Sequence, residues 1–269
     1  MSIRRLVRGT IEWDRLETVF RELAARYDES ELRVEFLDAD NWLSTPAVVN
    51  DRWFVKIVTG QNSLVHALFT GARNLGVFSS GTEGFFEHFA DPMEMAEHEL
   101  EATRRMRDIG VNVPAPIEAF EVDGMGVLVM EYLPEFRSLD DCPPDEVERF
   151  APEVFEALSV MHAHGLAHGD LRGENVLVHD GAVYFIDATS VREDGLAEAR
   201  SYDLACALGA LEPLIGARRA VTAAVEHYSP EELLAGREFL DFVNIRPDHD
   251  FDAVEVKAEI EKLAESERE

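Results

Sequence analysis

Lysine is nearly missing from this chain. Only three occur in 269 residues, and Lys56 stands alone in the first 256. Arginine carries the rest of the positive charge, and 25 Lys and Arg face 54 Asp and Glu, for a formal net charge of −29. That balance offers no basic patch suited to nucleic acid, so direct nucleic-acid binding is not expected. Charge this high is compatible with disorder, but 46 % hydrophobic residues argue for a packed core. An acidic, hydrated surface instead fits a halophilic cytoplasm, where salt screens charge over a few ångströms.

Cysteine is scarce too. Cys142 and Cys206 have no metal-ligand spacing and read as isolated thiols in a reducing compartment. The histidines do not cluster as ligands, and His162 and His164 flank a helix end, where cations complement the dipole. No apolar run reaches about 18 residues, so no membrane span is expected. The start, MSIRRLVRGTIEW, is basic without the apolar stretch of a secretory leader. A cytoplasmic globular chain of one or two domains is the expectation.

What is present is concentrated at His168–Val178, HGDLRGENVLV, followed by VYFID ending at Asp187. Two carboxylates and an amide at this spacing suit phosphoryl transfer, which needs positioning and charge neutralisation more than covalent chemistry. Asp170 fits the group that orients and deprotonates an acceptor. Asn175 and Asp187 fit oxygen ligands for Mg²⁺, which draws one or two ligands from protein and completes its shell elsewhere. Lys56 lies in WFVKIV, an apolar, β-branched run that reads as a strand. A compact ammonium there suits contact with phosphates. From Pro92 the pattern MEMAEHELEATRRMRDIG reads as a helix ending at Gly110, in which Glu97, Glu99 and Glu101 compete to partner Lys56. Glu99 is preferred, because Ala102 and Met106 continue its face inward.

The order H-x-D-L-x-x-x-N then D-x-x resembles the protein kinase catalytic loop and metal-binding Asp. The resemblance implies an α+β fold with two lobes: a small β-rich N-lobe carrying one helix, and a helical C-lobe. It spans roughly residues 32–215, with an N-terminal helix and N-lobe over 1–132, a mobile insertion at 60–92, and a C-lobe with an acidic C-terminal helix over 133–269. Expected strands are Leu32–Leu37, Ala47–Val49 and Arg52–Val58, then a hairpin of Ile117–Val122 and Val127–Tyr132 turning at Asp123-Gly124. MEYLP resembles the kinase hinge, which implies adenine contact by the backbone of Glu131 and Leu133 with Met130 behind. A helix from Pro152 to His164 leads into the loop, short strands Asn175–His179 and Ala182–Ile186 follow it, and a polar link precedes a helix Tyr202–Leu211. Helices from Ala217 to Leu240 and Val254 to Glu265 complete the lobe. Asp203 resembles the buried Asp that ties such a helix to the catalytic-loop backbone. Arg172 stands where serine kinases place a phosphate-contacting lysine.

Departures from eukaryotic-type protein kinases narrow the resemblance. Gly169 replaces the Arg that reads a phosphorylated activation loop, no A-P-E motif follows, and the metal motif is Asp187-Ala188-Thr189. The phosphate-covering loop, within LDADNWLSTPAV, has no glycine; Ser44 and Thr45 echo the S-T-G loop of RIO-type kinases. Glu99 also aligns with their E-x₁₀-G-V-x-V-P pattern through Gly110 and Pro114. The chain is therefore most similar to atypical archaeal kinases: the RIO family, or the small H-G-D-L kinase of the complex making threonylcarbamoyladenosine in tRNA. Its lysine-poor composition resembles that of haloarchaeal proteins. The resemblance implies ATP and Mg²⁺, a serine/threonine kinase or ATPase, and a protein substrate or a partner in ribosome or tRNA-modification assembly. The alternatives are a small-molecule kinase of the aminoglycoside type and a nucleotide-binding pseudokinase or assembly switch.

Overall fold

The structure is a computed structural model that describes residues 11–37, 44–60, 91–188, 195–246 and 249–266. The proposed insertion at 60–92 lies almost wholly outside them, as do 38–43 of the phosphate-loop segment, Thr189 and 191–194 of the polar link. The chain divides into two compact units, the first holding most of the N-terminal half and the second running from Glu135 onward with 105–113 added.

In the first unit, α1 (Trp13–Arg26), β1 (Val34–Phe36), β2 (Thr45–Val49), β3 (Trp53–Val58), α2 (Pro92–Asp108, through Arg104), β4 (Pro116–Val122) and β5 (Met125–Glu131) follow in chain order. The strands form one antiparallel sheet, ordered β1-β2-β3-β5-β4. Strand side chains alternate between faces. Trp53, Val55 and Ile57 of β3 therefore join Val127 and Val129 of β5 against Leu16, Val19 and Leu23 of α1. Leu128, Met130 and Phe54 point the other way, against Ala96 and Leu100 of α2. Both faces are covered, which is why β3 and β5 read as nearly unbroken apolar runs rather than alternating ones. The β4–β5 turn has positive φ at Asp123 (50°) and Gly124 (68°), the backbone a two-residue hairpin with native twist requires.

The position of α2 has an identifiable cause. Asp91 Oδ1 accepts from the backbone N–H of Met93 (2.8 Å) and Glu94 (3.2 Å), capping the first turn. Gly126 of β5 then lets the helix start against the sheet: a Cβ there would lie 2.0 Å from the Pro92 carbonyl oxygen.

The second unit contains β6 (Arg137–Ser138), α3 (Pro144–Ala163), β7 (Val176–His179), β8 (Ala182–Phe185), α4 (Leu196–Ile215), α5 (Ala217–Ala224), α6 (Pro230–Arg237), α7 (Leu240–Asn244) and α8 (Ala253–Ser266). Strands β6-β7-β8 form a small sheet. Three boundaries differ from expectation. Helix α3 begins at Pro144, not Pro152: Pro144 sits at the first position, where its missing N–H costs nothing, and Asp145 and Glu146 favour the positive end of the dipole. Pro152 lies inside it. Helix α4 starts at Leu196, taking in the Leu- and Ala-rich end of the supposed link. The stretch 217–240 is broken at Ser229, whose hydroxyl accepts from Glu232 N–H in a capping box that starts α6. No helix among the described residues is long and apolar enough to cross a membrane.

Candidate active site

In the first unit, Lys56 shares its face of the sheet with α2. Its Nζ donates to both oxygens of Glu99, at 2.9 and 2.8 Å, with side chains only 8 % and 15 % exposed. Glu97 and Glu101 are exposed, so Glu99 is the glutamate that meets the lysine. A buried pair of this kind is held by geometry rather than by salt-sensitive surface attraction.

Ser44 and Thr45 do not both belong to a loop. Thr45 is the first residue of β2, paired with Ile57, because the β-branched run TPAVV continues the sheet. Ser44, just before it, is fully buried, and its hydroxyl has no hydrogen-bond partner among the described residues. A buried hydroxyl left in that state is costly; a phosphate oxygen is one group that would satisfy it. At the other end of the sheet Met130 is buried against α2, Glu131 N–H donates to Ala115 O at 2.9 Å, and Leu133 is buried.

In the second unit the catalytic-type loop is held by its backbone. Asp203 of α4, 0 % exposed, accepts from the N–H of His168 (2.6 Å) and Gly169 (2.7 Å). Gly169 adopts φ 78°, a left-handed conformation that the Arg usual at this place would strain. His168 is fully buried; its Nε2 meets Ile186 O at 3.0 Å and its Nδ1 meets Asp170 N–H at 3.4 Å. Burial pushes the His168 imidazole below its ordinary pKa, against the pull of Asp203 and Asp170. A neutral ring carrying its proton on Nε2 satisfies both contacts.

Asn175 closes a single 3₁₀ turn, Gly173–Asn175, and its Nδ2 donates to Asp170 O at 2.8 Å. Ile186 N–H donates to Asn175 O at 3.1 Å, so the β7–β8 register brings Asn175 to the same end of the hairpin as Asp187. Asp187 has φ 60°, a conformation Asp tolerates better than most residues. An amide oxygen and a carboxylate suit Mg²⁺, which takes few protein ligands and prefers hard oxygen. Arg172 meets Glu174 in a short contact and lies 3.4 Å from Asp170 Oδ2. Burial first, then repulsion from Asp140, Asp170 and Asp187, raises the Glu174 carboxyl above its usual range, with Arg172 opposing.

Two features were not legible from local sequence. His162 is not merely a helix-end cation: it is buried, its Nε2 meeting Asp203 Oδ2 at 3.2 Å and its Nδ1 meeting the Tyr228 hydroxyl at 2.9 Å. Burial and Asp203 raise the Tyr228 hydroxyl well above its ordinary pKa, so it stays protonated beside that ring. The second is Arg246, whose Nη2 donates to Asp170 Oδ1 at 2.8 Å.

A β-sheet unit with a lysine–glutamate pair and a helical unit with a kinase-type loop define a two-lobe protein-kinase-like fold. The chain aligns over 86 % of its length with 99 % of an aminoglycoside-3′-phosphotransferase of type VIII, at a TM-score of 0.51 and 18 % identity, a likeness of fold. Residues 92–200 match the RIO domain model. The chain is 36 % identical over 115 residues to the KEOPS complex subunit Bud32 of Pyrococcus abyssi, covering 41 % of this chain and 51 % of that protein. It is 35 % identical over 68 residues to the EKC/KEOPS complex subunit BUD32 of Debaryomyces hansenii, covering 25 % of this chain and 26 % of that one. The matched stretches thus span about half of the first relative and a quarter of the second. Over the matched stretches the chain is thus similar to the RIO domain and to Bud32 subunits, within a protein-kinase-like fold.

Proposed function

We propose that this protein is an ATP- and Mg²⁺-dependent phosphotransferase, acting as an atypical serine/threonine protein kinase and able to turn ATP over as an ATPase. The observation that carries the reading is the Lys56–Glu99 pair, which fixes the only lysine of the first 256 residues as a preorganised cation. Lys56 and Ser44 would hold phosphate oxygens, and the Glu131 and Leu133 backbone, with Met130 behind, the adenine. Asn175 and Asp187 would hold Mg²⁺, which when bound neutralises charge on the triphosphate. Asp170 orients the acceptor hydroxyl and takes its proton on a carboxylate oxygen, and Arg172 offers charge to the transferred group.

The similarity to KEOPS subunits supports a partner in a tRNA-modification assembly, and the acidic, lysine-poor composition supports a salt-rich cytoplasm. The test is to incubate the protein with γ-labelled ATP and Mg²⁺ in KCl-rich buffer, with cell extract divided into protein and small-molecule fractions. Label in protein is the expected outcome, and label in free phosphate alone assigns an ATPase. Label in small solutes would transfer the protein to the small-molecule kinases, and no Mg²⁺-dependent turnover at all would refute the reading.

A further inference from the structure

Asp170 is held by a residue outside the segment that matches the RIO domain. Arg246 follows α7 and contributes both arms of its guanidinium: Nη2 to Asp170 Oδ1 at 2.8 Å, and Nη1 to the Tyr202 hydroxyl. The pair is enclosed, with 10 % exposure at Arg246 and 18 % at Asp170. Tyr202 is itself fully buried, packed edge-on to Phe239 and tilted against Phe242. Its neighbour Asp203 grips the backbone at His168 and Gly169. Two consecutive residues of α4 thus control one loop, Asp203 through the backbone and Tyr202, by way of Arg246, through the carboxylate.

The torsion that turns an Asp carboxylate is broad, so backbone anchoring alone does not decide which oxygen faces an acceptor. Arg172, a second cation beside this carboxylate, is shared with Glu174 and stands 3.4 Å from Oδ2. We propose that Arg246 is a positioning residue for the phosphoryl acceptor: by clamping Oδ1 it sets the carboxylate rotamer and assigns Oδ2 to the acceptor hydroxyl. The inference rests on the phosphotransferase role of Asp170. A rigid, planar fork is the side chain able to reach the Tyr202 hydroxyl and Oδ1 together, which a lysine cannot do.

Misplacement of a reacting group by about 1 Å costs on the order of 10²-fold in rate. Arg246→Gln is therefore expected to lower kcat by about 10- to 100-fold while KM for ATP stays at the parent value. Arg246→Lys restores charge without the fork and should recover part of the loss. Tyr202→Phe keeps the ring and removes the hydroxyl, so it should reduce kcat by less, and it carries the test if Arg246→Gln fails to fold. A parent-like kcat in both Arg246→Gln and Tyr202→Phe, a faster Arg246→Gln, or a change confined to KM for ATP would overturn the proposal. A readout independent of turnover is the carboxyl ¹³C resonance of Asp170, assigned with Asp170→Ala, which should move in Arg246→Gln at constant pH. An unmoved resonance refutes the clamp. A moved resonance in a protein that never turns over ATP refutes the phosphotransferase reading instead.

Discussion

Removing the Glu99 carboxylate tests whether Lys56 is held by a buried pair. Exposed ion pairs contribute about 0–1 kcal/mol, whereas deleting one partner of a buried pair costs about 3–5 kcal/mol, because the other charge is left in a poorly solvated place. With side chains 8 % and 15 % exposed, Lys56 and Glu99 lie near the buried end. Glu99→Ala should therefore destabilise by about 3 kcal/mol, and at about 2–4 °C per kcal/mol for a chain of this size the melting temperature should fall by about 6–12 °C. Lys56→Met should cost a similar amount. The double variant Lys56→Met/Glu99→Ala removes both charges, so its loss should be well below the sum of the single losses. Chemical denaturation of the four proteins, at one salt concentration, measures the coupling. Single losses below about 1 kcal/mol, or strict additivity, would refute the buried-pair reasoning.

Two further predictions concern what holds the site together. Gly126→Ala places a Cβ 2.0 Å from the Pro92 carbonyl oxygen, so the start of α2 must shift. Overpacking of this kind costs about 1–3 kcal/mol, here at the upper end because the obstacle is backbone, and unchanged denaturation would contradict the packing described. The buried His168 ring binds a proton more weakly folded than unfolded, so the unfolded state gains protons first as pH falls. Its contribution to stability is complete above the ordinary value of 6.5 and is lost as pH falls below it. Denaturation midpoints measured downward from pH 7.5 should decline below about 6.5, and His168→Asn should flatten that decline; equal slopes in both proteins would contradict it.

Much of the architecture is local and was legible. Asp123-Gly124 announces a hairpin because both positions need positive φ, and the lone lysine in an apolar strand marks itself. Glu99 could be preferred over Glu97 and Glu101 from helical spacing, although only the packing of α2 brings its carboxylate to Lys56. The misplaced starts of α3 and α4 share a cause. Pro152 and the charged stretch before Leu196 look like breakers, yet tertiary packing carries a helix through the first and right up to the edge of the second. The Arg246–Asp170 pair spans 76 positions and the His162–Asp203 pair 41, so no periodicity reports them. Ser44 was legible as a candidate but its burial was not, since that depends on how β2 seats against β3.

If Asn175 and Asp187 hold Mg²⁺ for a phosphoryl transfer assisted by Asp170, turnover must depend on the Asp187 carboxylate. The most direct measurement is Mg²⁺-dependent ATP turnover by the parent and by Asp187→Asn, with a melting curve for each. Asparagine tolerates the same left-handed backbone as the Asp187 it replaces, at φ 60°, so the fold should survive. The expected result is a parent-like melting curve and turnover lowered on the order of 10²-fold or more. Equal turnover by a folded Asp187→Asn variant would contradict it.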